Sequence, residues 1–164
     1  MRYHLLPALT ALALFTLDQL LKAYFASAAR IPIIEPHFYL GNFRNTEPTT
    51  YPPIVHALGM AVCLALILYL TRRWRSRTFV WGFWILAAGN AGNLVNAWWP
   101  GYWVDYIEFP ALVAFNLADV MIFGGYALVG VGVVGAAIQM RRPRYPENQS
   151  TSCPKNACKQ TSKQ

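Results

Sequence analysis

Two aspartates, Asp105 and Asp119, stand 14 positions apart in V-D-Y-I and F-N-L-A-D, and the stretch from Trp98 to Ala114 holds no lysine or arginine to neutralise either. Two carboxyl groups at close range cannot both ionise. They share a proton and so provide one acid and one base near working pH. Water held between them could then attack a peptide carbonyl, which is aspartic-protease chemistry and calls for no metal or cofactor. A plainer reading competes: two acids at the ends of apolar spans can be solvated boundary residues, and spacing alone does not choose.

Other polar residues sit where they must find partners. Asp18 and Lys22 are four apart on one helical face and can pair, which is what intramembrane ions require. The pair reads as a structural tie between helices rather than as chemistry. Asn90 and Asn93 fall three apart in G-N-A-G-N, and Asn116 stands just before Asp119. Their amides serve either as glue between helices or as holders of a peptide backbone.

Competing catalytic patterns are absent. The chain has no H-E-x-x-H, G-x-S-x-G or Walker loop, and His4, His37 and His56 share no ligand spacing. Ser27 lies five positions from Lys22, which is poor helical spacing for a Ser/Lys dyad.

The elements that must position these residues are set by composition. With 55% hydrophobic residues, 13% charged and a mean hydropathy of +0.29 over 164 residues, the chain lies outside ordinary soluble domains and within small membrane proteins. Crossing a hydrocarbon core takes about 20 apolar residues. Four segments meet or approach that length: Leu5 to Phe25, Ile54 to Leu70, Thr78 to Val95 and Phe115 to Met140. Arg2 and Ala26-Ser27-Ala28 imitate a cleavable export signal, but Asp18 and Lys22 inside the apolar run argue for a retained helix.

Charge sets the orientation. The 14 Lys and Arg concentrate at Arg2, in the link from Thr71 to Arg77 and in the tail from Arg141 onward. By the positive-inside rule both termini and that link are cytoplasmic, and segments 26–53 and 96–114 face outward. The net charge of +7 then reports topology and attraction to anionic lipids. Nucleic-acid binding is not indicated, because the basic residues are dispersed and no reading module is present.

In the outward segment 26–53, Ile31-Pro32-Ile33-Ile34 and His37-Phe38-Tyr39-Leu40 are strand-like, so a small sheet-like flap is expected at the outer boundary. The segment 96–114 is rich in Trp and Tyr, is broken by Pro100-Gly101 and Pro110, and reads as an interfacial aromatic loop. Residues 1–140 form one membrane domain in this reading, and 141–164 a disordered basic cytoplasmic tail. Cys63 is expected to pack as a small hydrophobe, while Cys153 and Cys158 in the tail are a weak match to zinc ligation.

Taken in order, D-Q-L-L-K at Asp18 to Lys22, F-Y-L-G-N-F-R-N ending at Asn45, Gly92-Asn93, V-D-Y-I around Asp105 and F-N-L-A-D ending at Asp119 resemble the lipoprotein signal peptidase family, the type II signal peptidases. The resemblance reaches to about Met140. It implies an all-α membrane protein of four transmembrane helices in the bacterial inner membrane, multi-pass, with its active site toward the outer face. It implies an aspartyl endopeptidase that cleaves a prolipoprotein's signal peptide before the diacylglyceryl cysteine. Carried over position by position, Asp105 and Asp119 would be the catalytic pair, and Asn45, Asn93 and Asn116 would shape the substrate site.

Two segments depart from the pattern. The family continues G-N-x-x-D-R, whereas this chain has Asn96 and Ala97 in place of the acid and the arginine, and a methyl cannot replace a guanidinium fork. After Asn45 the family favours G-A-A-F, whereas this chain has Thr46-Glu47-Pro48-Thr49-Thr50. A divergent peptidase with altered substrate preference fits these changes. The alternative is a non-catalytic membrane homologue that binds lipoprotein precursors.

Overall fold

A computed structural model describes residues 2–45, 53–74, 76–99, 102–110 and 112–141. The replaced flap residues Thr46 to Thr50, the Pro100-Gly101 turn, Cys153, Cys158 and the tail beyond Arg141 lie outside the described residues. The order of elements is α1 (Arg2–Phe25), β1 (Ile31–Ile34), β2 (Phe38–Asn45), α2 (Pro53–Trp74), α3 (Arg77–Trp98), β3 (Trp103–Phe109), β4 (Val113–Phe115) and α4 (Leu117–Arg141). The fold is mostly helical with one small antiparallel sheet.

The helices match the four apolar segments, with shifted ends. α2 begins at Pro53, whose fixed φ suits a first helical position and whose missing N–H has no partner to lose there. It runs on to Trp74, so most of the expected basic link is helical. α4 starts at Leu117 rather than at Phe115. Phe115 belongs to β4, and Asn116 between them caps the helix.

α3 packs against each of the other three helices, most extensively α4. Glycines make that approach possible. A Cβ on Gly89 would stand 2.6 Å from the carbonyl oxygen of Ala118, and one on Gly125 would stand 2.8 Å from the backbone of Leu86. Toward α1, a Cβ on Gly92 would come within 2.9 Å of the Asp18 carboxylate.

Burial runs opposite to that of a soluble bundle. On α1, Leu5, Leu9, Leu12 and Leu20 are exposed while Asp18 and Lys22 are buried. Water-facing leucines around a charged interior would be costly, whereas lipid-facing ones are not. Among the described residues two helices, His4–Phe25 and Leu117–Gln139, are long and apolar enough to cross a bilayer.

The aromatic segment expected as a loop is instead half of the sheet. The four strands lie in the order β1-β2-β3-β4, and β2 pairs antiparallel with β3. Phe43 lies opposite Asp105, and Asn45 opposite Trp103. The register shifts between Leu40 and Phe43. Gly41 occupies the shift, where a Cβ would stand 2.9 Å from the Arg30 Cα. The Arg30 guanidinium lies 3.9 Å from the Tyr39 ring centre and pairs with Glu108 at 2.6 Å, tying the end of the α1 linker to β2 and β3.

Candidate active site

The N-terminus of α4 organises the site. Leading helical N–H groups have no partner within the helix and need outside acceptors. Asn116 and Asp119 supply two by exchange: the Asn116 Oδ1 accepts the Asp119 N–H at 3.1 Å, and the Asp119 Oδ2 accepts the Asn116 N–H at 3.0 Å. This is a capping box. The two intervening N–H groups go to other elements, Leu117 donating to the Tyr106 hydroxyl at 2.9 Å and Ala118 to the Asp18 Oδ1 at 3.0 Å. Strand β3 and helix α1 are thereby fastened to one helical turn.

Asn116 also reaches β3. Its Nδ2 donates to the Asp105 Oδ1 at 2.7 Å, so one fully buried asparagine is bonded to both aspartates. Asp105 is 2% exposed, whereas Asp119 is only partly buried. Asp119 lines a cavity of about 410 Å³ among α2, α3, α4 and Trp103. That cavity gives Asp119 access to a space large enough for several side chains.

The third asparagine links this turn to α1. Asn93 donates from Nδ2 to the Asp119 Oδ1 at 2.7 Å, while its Oδ1 accepts from the Lys22 Nζ at 2.9 Å. Lys22 also reaches the Gly92 carbonyl at 3.4 Å and the Asp18 Oδ2 at 2.9 Å. The three ammonium donors thus have three acceptors. Gln19 adds donors to Asp18 and Gly92. The expected Asp18–Lys22 pair exists and extends further than helical spacing alone could reveal.

Of the residues singled out by sequence, Asp18, Lys22, Asn93, Asp105, Asn116 and Asp119 form one hydrogen-bonded group. Asn90 turns its Nδ2 back to the Leu86 carbonyl and borders the cavity. Asn45 closes β2 with its backbone opposite Trp103. Cys63, expected to pack as a small hydrophobe, is exposed on the cavity wall. The Lys22 ammonium is directed to Asp18, Gly92 and Asn93 rather than to Ser27.

Tyr106 and Gln19 were not picked out as site residues by sequence. Tyr106 stacks on Phe25 with ring centres 5.3 Å apart and receives the Leu117 N–H. Burial pushes its phenol above the ordinary tyrosine value of 10.0; the nearby carboxylates push the same way, while the Leu117 N–H opposes them. Its place directly after Asp105 was the available signal, but neighbouring aromatics along the segment hid it.

The two replaced family positions fall in different surroundings. Ala97 lines the cavity, so the missing arginine leaves apolar wall in its place. Asn96 is 7% exposed, and its Oδ1 has no hydrogen-bond partner among the described residues.

A helical bundle with lipid-compatible faces and a four-stranded sheet across a buried acid-and-amide cluster has the fold of bacterial membrane enzymes. Two solved structures described in those words, both determined by the in meso method, share it. The one at 1.9 Å resolution aligns with a TM-score of 0.67 at 18% identity, covering 78% of this chain and 92% of that one. The one at 2.3 Å aligns with 0.71 at 17% identity, covering 86% and 94%.

Residues 10–134 match the family described as signal peptidase (SPase) II, and the chain belongs to that family. Lipoprotein signal peptidases are among its relatives. That of Pelotomaculum thermopropionicum is 29% identical over 106 residues, 60% of this chain and 69% of the relative. That of Escherichia coli strain K12 is 32% identical over 77 residues, 44% and 46%. That of Caldicellulosiruptor bescii is 31% identical over 68 residues, 42% and 45%. The chain thus spans about half the length of the last two relatives and somewhat more of the first.

Proposed function

We propose that this protein is a membrane-embedded aspartic endopeptidase that removes the signal peptide from lipid-modified prolipoproteins, cutting before the diacylglyceryl cysteine. α1 to α4 all cross the bacterial inner membrane, with both termini cytoplasmic and the sheet on the outer side. Membrane lipids surround the exposed leucines, and the precursor's signal helix enters laterally toward the cavity.

The observation that carries the reading is Asn116, which is bonded to both aspartates and so holds them at one place. Asp105 and Asp119 share a proton and hold the attacking water. One carboxylate takes a proton from that water as its oxygen bonds to the scissile carbonyl carbon. The other gives its proton to the departing amine as the C–N bond breaks. Asn45, Asn93 and Asn116 shape the surroundings of the extended peptide, whose backbone needs hydrogen-bond partners in an apolar phase. Ala97 on the cavity wall gives room where the family places a cation, and so shifts precursor preference.

The test is cleavage of a lipid-modified prolipoprotein in vesicles by the wild type, Asp105→Asn and Asp119→Asn. Both variants are expected to lose about 10²- to 10⁴-fold in rate. Equal processing by all three would remove the pair from the mechanism. Precursor binding without product on any lipidated substrate would instead identify a non-catalytic binder.

A further inference from the structure

We infer that Lys22 is a positioning residue for the acid pair: by occupying the amide oxygen of Asn93 it turns that amide's N–H onto Asp119 and so fixes how that carboxyl group is presented. The inference rests on the peptidase reading above and goes beyond it by giving the buried Asp18–Lys22 pair a part in orienting Asp119.

The argument begins with donor and acceptor chemistry. A carboxamide has one end that only accepts and one that only donates, and a lysine ammonium can only donate. Lys22 stands 2.9 Å from the Asn93 Oδ1. Turning the amide over would place N–H against ammonium on one side and carbonyl oxygen against carboxylate on the other. Both contacts would be repulsive. Lys22 therefore leaves a single orientation, in which Nδ2 donates to the Asp119 Oδ1 at 2.7 Å.

Lys22 is itself fixed. It is 2% exposed, and Asp18, which is fully buried, holds it at 2.9 Å while also accepting the Ala118 N–H. A solvated surface lysine would have no such constraint. The ordering thus runs from the Asp18–Lys22 pair on α1, through Asn93 on α3, to Asp119 on α4.

Both oxygens of Asp119 accept hydrogen bonds, one from Asn93 and one from the Asn116 N–H, so the orientation of this carboxyl group depends on the Asn93 amide that Lys22 holds. The groups facing this site are Asp18 and Lys22 from α1, and Asp105 and Tyr106 from β3.

The test uses the full chain in lipid vesicles. Lys22→Met alone would strand the buried Asp18 charge, so the informative variant is Asp18→Asn with Lys22→Met, which keeps an acceptor for Ala118 and leaves the pair neutral. Infrared spectroscopy reads the Asp119 carboxylate stretch, identified by its loss in Asp119→Asn, with no substrate present. The paired variant is expected to move that band as Asn93→Ala does. In cleavage it should lose roughly tenfold to a hundredfold in kcat with KM unchanged, the cost of one hydrogen bond to a charged group. Adding Asn93→Ala should lower kcat no further, because both changes remove the same contact.

An Asp119 band left at its wild-type position by the paired variant overturns the inference. So do losses that add fully when Asn93→Ala is combined with it. If the wild type cleaves no precursor, the peptidase reading fails, and the infrared band still decides whether Lys22 orders Asp119.

Discussion

The Asp18 Oδ1 accepts the main-chain N–H of Ala118 at 3.0 Å, joining two residues 100 positions apart. A carboxylate on α1 thus completes the capping of α4 and sets the depth at which Asp119 enters the bundle. Removing the acid leaves a buried ammonium and an unpaired N–H together. Asp18→Ala is expected to lower stability by about 3 kcal/mol, the usual scale for breaking one side of a buried ion pair. Thermal unfolding in detergent measures it, and an unchanged midpoint would refute the capping role.

Asn116 serves both as cap and as bridge, and two substitutions separate these. Asn116→Ser keeps a hydroxyl that can accept the Asp119 N–H but cannot reach Asp105, so stability should stay near wild type while cleavage falls at least about tenfold. Asn116→Ala should lose the same activity and also about 1–2 kcal/mol of stability. Matching effects of the two on both readouts would show that cap and bridge are inseparable.

Close packing of α3 on α4 makes a contrast between glycines. Gly89→Ala drives a methyl into the Ala118 carbonyl 2.6 Å away and should cost about 1–3 kcal/mol, whereas a Cβ on Gly124 meets nothing within 4 Å. Gly124→Ala should be neutral or stabilise by about 0.5–1 kcal/mol through helix propensity. Unfolding midpoints of the two variants decide the comparison.

Tyr106 gives stability a dependence on alkaline pH. Its phenol is raised above 10.0 by burial, so below that pH it is protonated in folded and unfolded chains alike. Above it the unfolded chain releases the proton first, and stability falls as pH climbs toward the raised folded value. Midpoints measured from pH 8 upward should decline less steeply in Tyr106→Phe than in the wild type.

The apolar helices were legible because Leu, Val, Ile and Ala runs of bilayer length have few alternatives, and the strand character of residues 31–34 and 38–40 was equally local. The sheet's second half was not. Trp103 to Phe109 carries Val104, Tyr106 and Ile107, all good strand formers, yet its partner β2 is some sixty positions earlier in the chain. Pairing of that kind depends on distant backbone groups. Aromatic content and flanking prolines therefore made a strand resemble an interfacial loop.

The same division separates the pair at Asp18 and Lys22 from its reach. Helical periodicity alone puts them on one face, because four residues nearly complete a turn. Periodicity is silent on which helices that face meets, and so on the contacts to Asn93 and Ala118.

Residue types and their order determined an apolar helical protein with one group of acids and amides too polar to be left without partners. Only the tertiary structure decided which acceptor each donor found, because a hydrogen bond is made over about 3 Å whatever the separation along the chain. The start of α4, where main-chain donors from one turn meet Asp18, Tyr106 and the Asn116–Asp119 exchange, is where those distances were settled.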